Sequence, residues 1–141
     1  NRQKDVHVLL NGWRRQYVMS ELRRREIPFT YFELPSIEAV VEMYNATDLY
    51  IVGSRVEGGP QALLESSATK TPIISTDMGM ARDVLSEKCI IKSFESFDSL
   101  ITKRYNDSVE CISTNYENVK SFFIDEQMAK YDNLFEQVLG G

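Results

Sequence analysis

Two glutamates eight positions apart, Glu57 and Glu65, flank the turn Gly58-Gly59-Pro60 in the stretch SRVEGGPQALLESSATKTPIIST, residues 54–76. Glu57 lies in the turn. Glu65 falls just over one turn into a helix expected from about Pro60 to Lys70, on the same face as Gln61. Gly58 and Gly59 remove side chains where backbone could approach a ligand closely. Pro60 suits the first helical turn, where its missing N–H would have been unpaired in any case. The N–H groups of Gln61, Ala62 and Leu63 point back at the turn, and with the macrodipole they suit a phosphate or sugar oxygen. Carboxylates beside an anion site conflict with it unless the ligand also carries hydroxyls, which carboxylates accept well, above all from vicinal pairs. A nucleotide sugar presents both groups. A glycine-rich turn before a helix is also common in α/β proteins, and two surface glutamates need no purpose, so the loop alone leaves both readings open.

The elements that must position this loop alternate along the chain. Residues 5–12 (DVHVLLNG) form a short apolar run stopped by Asn11-Gly12 and read as a buried strand. Residues 13–27 place Tyr17, Val18, Leu22 and Ile27 near helical spacing, with Pro28 as the stop. Residues 29–34 are aromatic and β-branched and read as a strand. Ser36 caps a helix that should bury Val40, Val41 and Tyr44. Residues 48–54 and 72–77 are further strands, 79–87 a short helix, and Cys89 to Ser93 a weak fifth strand. From about residue 96 the pattern turns helical, in segments 96–105, 108–122 and 124–139. In the last of these Met128, Tyr131, Leu134, Phe135 and Val138 form a stripe expected to pack in a core, with an oligomer face as the alternative. Strands alternating with helices predict an α/β fold whose mostly parallel sheet of about five strands is flanked by helices, followed by a helical C-terminal segment. Ligands on such sheets bind outside the carboxyl ends of the strands, which singles out the turns at 12–15, 34–36, 53–61 and 77–80.

Composition narrows the function. The 141 residues suit a single domain spanning 1–141, and 43% hydrophobic content is enough for a real core. A net charge of −5 argues against general nucleic-acid binding. No apolar run reaches the roughly 18 residues of a membrane span. Cys89 and Cys111 have no metal-like spacing and read as reduced thiols, with a disulfide as the alternative, and hence as a sign of a cytoplasmic protein. The single histidine, His7, cannot build a metal site and reads as structural. Asn1 as first residue reads as the start of a fragment.

Residues 43–85 resemble the donor-binding region of retaining GT-B glycosyltransferases of the glycosyl transferases group 1 family. The resemblance rests on Tyr44, Ala46 and Asp48 before a strand, then Ser54, the Glu57-x7-Glu65 motif, the proline-led strand at Pro72, and Gly79 before Asp83. Looser similarity covers 5–95. It implies a three-layer Rossmann-like domain that is the carboxyl-terminal half of a two-domain enzyme. Glu57 would be catalytic, lying near the donor sugar and contacting its hydroxyls, while Glu65 would bind the ribose hydroxyls. The amides around Gly58, Gly59, Pro60 and Gln61 would face the sugar and diphosphate, and the turn at Leu34 would lie against the base. The resemblance implies no metal and no cofactor beyond the nucleotide-sugar donor itself. Its implied partners are the missing amino-terminal acceptor domain and a glycan or lipid-linked acceptor, so this domain alone should transfer little. Lys70 stands where the family usually has glycine, and Met80 replaces a second glycine after Gly79. The family's diphosphate-gripping arginine and lysine belong to an earlier strand–helix unit, a role for which Arg2 and Lys4 stand too near the start. Without that unit the five strands could take the order 2-1-3-4-5. A non-catalytic nucleotide- or sugar-binding module and a flavodoxin-like regulatory domain are the alternatives.

Three further groups qualify as candidates. Gly12, Arg14 and Arg15 follow the first strand at the start of a helix, where positive charge opposes the macrodipole unless an anion is bound. Either arginine could contact a donor diphosphate, or both could be solvated. Arg23-Arg24-Arg25 ends the same helix, as a solvated basic cap or as a peripheral contact with the inner face of an anionic membrane. Trp13 could stack on a base or pack under the loop.

Overall fold

The structure is a computed structural model that describes residues 6–92 and 97–139, with the side chains of 97–103 outside the description. Arg2, Lys4 and Asp5, together with Ser93 and Ser96, lie outside the described residues. Backbone contacts divide the chain into two compact units, Asn1–Thr47 and Asp48–Gly141. All five expected strands form, and every pairing is parallel. In place of the single sheet of about five strands, the described residues make two ladders, β1 to β2 in the first unit and the order β3-β4-β5 in the second. The result is an α/β fold of parallel sheets flanked by helices, with a helical C-terminal segment.

In the first unit β1 (Val8–Asn11) pairs with β2 (Phe29–Phe32) in register Val8 to Phe29. The strand expected to be buried is half-buried throughout. His7 lies just before it and bridges to Thr30 Oγ1 at 2.9 Å, which fits a structural role. Helix α1 spans Gln16–Arg24 and stops before Pro28 can act. Its end is a left-handed turn: Glu26 sits at φ 56, its N–H bonds to Arg23, and the N–H of Ile27 bonds to Leu22. Tyr17 and Val18 face outward, at 77% and 40% exposure, whereas Leu22 and Ile27 are half-buried, as are Met19 and Glu21. The expected stripe thus holds at its second half and fails at its first. Helix α2 (Ile37–Asn45) begins as its sequence implies, with Ser36 Oγ accepting from the amide of Ala39 at 3.3 Å and Glu38 in the first turn. Tyr44 is buried and Val40 half-buried, whereas Val41 is exposed.

The second unit carries the main core. Central strand β4 (Ile73–Thr76) is buried at every position between β3 (Tyr50–Val52) and β5 (Ile90–Ile91). Leu63 of α3 (Gln61–Ala68), Ala81 and Val84 of α4 (Ala81–Val84), and Leu85 close over it. After α5 (Phe97–Glu110), helix α6 (Ile112–Lys120) adds Val119, and Cys111 beside it completes the layer. Helix α6 also binds backbone left open where α4 ends. Asn115 Oδ1 accepts from the amide of Ser86 at 2.8 Å, and Asn118 Nδ2 donates to the carbonyl of Val84 at 3.1 Å. Lys70 takes the left-handed position after α3, at φ 59, with its N–H on Ser67 and that of Thr71 on Ser66. Its backbone therefore does what a glycine would do, at a steric cost of roughly 1–2 kcal/mol, and its ammonium lies 4.5 Å from the Tyr116 ring centroid.

Helix α7 (Ile124–Leu139) corrects the expectation of a core stripe: Met128, Tyr131, Leu134, Phe135 and Val138 are all more than half exposed. The helix is held at its start, where Gln127 Nε2 and Lys130 Nζ donate to the carbonyl of Ser121. Beyond that it has no extended packing with another element of its unit among the described residues, so helical spacing alone could not place the stripe inside.

Cys89 and Cys111 are free, buried thiols. Burial pushes the Cys89 thiol from 9.0 up to about 12, with Cys111 adding to the rise and the Asn115 amide, 3.6 Å from its sulfur, opposing it. The folded chain therefore keeps a proton that the unfolded chain releases above pH 9. Stability should be unaffected by this group below pH 9 and should fall as pH rises from 9 toward about 12. Urea melts at about pH 8 and about pH 10 check this, because Cys89→Ala should flatten the decline.

Candidate functional site

The β3–α3 loop leaves the sheet at Gly53 and reaches α3 at Pro60. Pro60 proves to be the residue before the helix, at φ −67 and ψ 118, rather than its first turn. A proline there offers no side-chain cap, and α3 has no acidic residue in its first turn. The contrast is with α2, where Ser36 and Glu38 supply both. The amide of Leu63 is not free as expected, because it donates to the Pro60 carbonyl at 3.0 Å. The amides of Gln61 and Ala62 have no partner among the described residues. They form an uncompensated positive helix end, suited to an anionic oxygen.

Both glutamates are exposed. Glu57 stands in the loop, and Glu65 stands on α3 four residues after Gln61, which is also exposed. The opposite face of the helix is sealed by Leu63, Ser66 and Ser67, so the polar face of α3 is fixed by the burial of its back. Gly58 has open space around the position of a Cβ and no positive φ, so the fold itself does not require a glycine there. A Cβ at Gly59 would stand 3.4 Å from Met80 Sδ. Met80, which occupies the place of a family glycine, therefore packs under the loop as well as against the core.

Other supports of the loop were not visible in the sequence. Thr76 Oγ1 donates to the carbonyl of Ser54 across 22 residues. Gly79, at φ 48, lies against the carbonyls of Glu57 and Gly58. The turn that carries Gly79 is closed by Arg82, whose Nε and guanidinium nitrogen grip both oxygens of Asp77 and hold its carboxyl below the usual range. Only the glycine itself hinted at any of this, as a small residue just before a helix.

In the first unit the β1–α1 turn holds Gly12 at φ 89 and Arg14 at φ 59. The Gly12 amide donates to Phe32, its carbonyl accepts from the Tyr31 hydroxyl, and the Arg15 guanidinium lies 3.3 Å from where a Cβ at Gly12 would stand. Arg15 Nε is engaged with the Asn11 carbonyl at 2.9 Å, whereas Arg14 is exposed with no partner among the described residues. Leu34 is 76% exposed in the β2–α2 turn. Trp13 is 63% exposed and so does not pack under its loop. The arginines ending α1 are engaged locally, with Arg24 and Arg25 on Glu21 and Arg23 over the Phe29 ring. Among the described residues no group of three or more acidic, histidine or cysteine side chains is placed to hold a metal ion, and no helix is long and apolar enough to cross a membrane.

Comparison with known proteins bears on the family and the fold. The sequence pattern of the family described as glycosyl transferases group 1 matches residues 2–107. Similar solved structures include sucrose-phosphate synthase from Thermosynechococcus elongatus, with a TM-score of 0.70 and 18% identity over 89% of this chain. The pneumococcal O-GlcNAc transferase GtfA, solved with UDP and GlcNAc, gives 0.64 and 14% over 99% of this chain. At such identities the likeness shows the fold. The chain spans 34% and 37% of those two proteins, about a third of each. There is no significant match among curated protein sequences. With its pattern matched across residues 2–107, the chain belongs to the glycosyl transferases group 1 family.

Proposed function

We propose that the chain is the donor-binding domain of a retaining glycosyltransferase that takes a sugar from a nucleoside diphosphate and passes it to a glycan or lipid-linked acceptor. The observation that carries this reading is the uncapped start of α3, with two free amides, between the exposed carboxylates of Glu57 and Glu65. The amides of Gln61 and Ala62 would hold diphosphate oxygens, Glu65 the ribose hydroxyls, and Glu57 the hydroxyls of the sugar. Catalysis would follow from orienting the donor and stabilising the leaving diphosphate, with no metal in the scheme. Arg14 is the better candidate of its pair for an anion contact, because Arg15 is already engaged. Gly12 and Leu34 remain the first unit's candidates for donor contact. The pneumococcal neighbour was solved with UDP and GlcNAc, which makes uridine the first base to test. Because the chain spans about a third of its structural neighbours, the acceptor site would lie on an amino-terminal domain outside it. We place the protein in the cytoplasm, with a peripheral membrane contact as the lesser reading since the arginines of α1 are engaged locally.

Calorimetric titration with UDP, GDP and ADP and with UDP-glucose, UDP-GlcNAc, GDP-mannose and ADP-glucose tests the proposal. One base should bind, and its sugar conjugate should bind more tightly. Absence of binding across the panel would overturn the reading. Binding without transfer after an amino-terminal domain is supplied would favour a non-catalytic module.

Gly58 separates fold from function. Gly58→Ala should leave the melting temperature unchanged or raise stability by about 0.4–1 kcal/mol, since its Cβ meets open space. The same methyl should weaken nucleotide-sugar binding if the donor approaches that backbone. Thermal melts and titration of the one variant decide both points.

A further inference from the structure

We infer that Gly79 is a positioning residue for Glu57: the backbone of the β4–α4 turn sets where the β3–α3 loop carries its carboxylate. The inference rests on the donor-site reading above and adds a residue to it.

Residues 55–59 are exposed and make no hydrogen bond among the described residues. Nothing within the loop fixes Glu57. What fixes the loop comes from the neighbouring β4–α4 turn of the same unit. A Cβ built on Gly79 falls 2.5 Å from the carbonyl oxygens of both Glu57 and Gly58, where ordinary contact begins at 3.4 Å. Two backbones therefore meet at a distance that only glycine permits, and φ 48 favours glycine independently. The Gly79 turn cannot easily retreat. Met78 before it is 7% exposed and Ala81 after it fully buried, and the Asp77–Arg82 fork closes it. At the other end of the loop Thr76, from the same segment, holds the Ser54 carbonyl.

A side chain at 79 must therefore move the loop, by several tenths of an ångström to about 1 Å, a displacement that can cost on the order of a hundredfold when it misplaces a reacting group. The change should be local. Pro60 and Leu63 are buried, so the start of α3 and Glu65 stay in place while Glu57 shifts. The signature is a loss at the sugar end of the donor with the nucleotide end preserved.

The test uses Gly79→Ala, Glu57→Gln, their double variant and Thr76→Val, which removes the Ser54 bond without adding volume. Each is titrated with whichever nucleoside diphosphate and sugar conjugate the wild type binds in the panel above. The expected result is that Gly79→Ala lowers the extra affinity given by the sugar by about tenfold, with the nucleoside diphosphate alone bound within about twofold of wild type. The double variant should be no weaker than Glu57→Gln. A wild-type sugar increment in Gly79→Ala, or effects of the two changes that simply add, would overturn the inference. Amide spectra of the ligand-free protein decide it independently of any donor. Gly79→Ala should shift the resonances of Glu57, Gly58 and Gly59 and leave Leu64 and Glu65 in place; unshifted loop amides would sink the inference. A wild type that binds nothing in the panel defeats the donor-site reading alone. If Gly79→Ala does not fold, Thr76→Val carries both measurements, with the same outcomes required.

Discussion

Glu65→Gln lowers affinity for the preferred nucleoside diphosphate by about tenfold to a hundredfold. The magnitude follows from the chemistry assigned to the side chain. A hydrogen bond to a charged acceptor contributes about 1.5–3 kcal/mol, and each 1.4 kcal/mol is a factor of ten in affinity. A carboxylate can accept from both members of a vicinal hydroxyl pair, whereas a glutamine of the same shape must turn its NH2 toward one of them. Glu65 is exposed on a helix whose other face is buried, so the substitution should leave the melting temperature near that of wild type. A 2′-deoxynucleoside diphosphate sharpens the test. It should bind wild type more weakly than the ribose form, and Glu65→Gln should erase most of that difference. Equal affinity of wild type and variant for the ribose form would remove Glu65 from the site.

The outline of the fold was legible because its signals are local. Ser36 before an apolar helix, Pro60 before another, and β-branched runs such as Ile73-Ile74 state their structure within a few residues. The same holds for Glu57 and Glu65, whose spacing already placed one in a turn and the other on a helix. What escaped depends on partners far along the chain. The contacts of Thr76 with Ser54 and of Gly79 with Glu57 cross 22 residues each, and no periodicity encodes them. One boundary failed where backbone geometry overrode residue type. Glu26 ends α1 from the left-handed region that glycine would ordinarily occupy, two residues before the stop expected at Pro28, whereas Lys70 takes the same conformation at the helix end expected near it. The α7 stripe failed for another reason: a 3.6-residue repeat shows that a helix has an apolar face but not what covers it. The freedom of the Leu63 amide was likewise overestimated, since the turn bond to Pro60 is invisible in a sequence.

Leu63→Ala has the opposite signature to Glu65→Gln, two residues away on the same helix. Leu63 is fully buried and belongs to the core cluster that includes Val52, Ile73 and Val84. Truncating it leaves a cavity under α3, and such changes cost about 2–5 kcal/mol depending on how far the surroundings relax. That is a large share of the roughly 5–15 kcal/mol that holds a typical domain folded. Urea denaturation should show a lower midpoint with an unchanged slope. Donor affinity measured well below that midpoint should fall only modestly, because the amides of Gln61 and Ala62 and the side chain of Glu65 remain on the intact helix. The pair therefore separates the two faces of α3, one holding the fold and the other the ligand. A Leu63→Ala variant of wild-type stability would mean that α3 is not seated as described, and the placement of Glu65 and the free amides would fail with it.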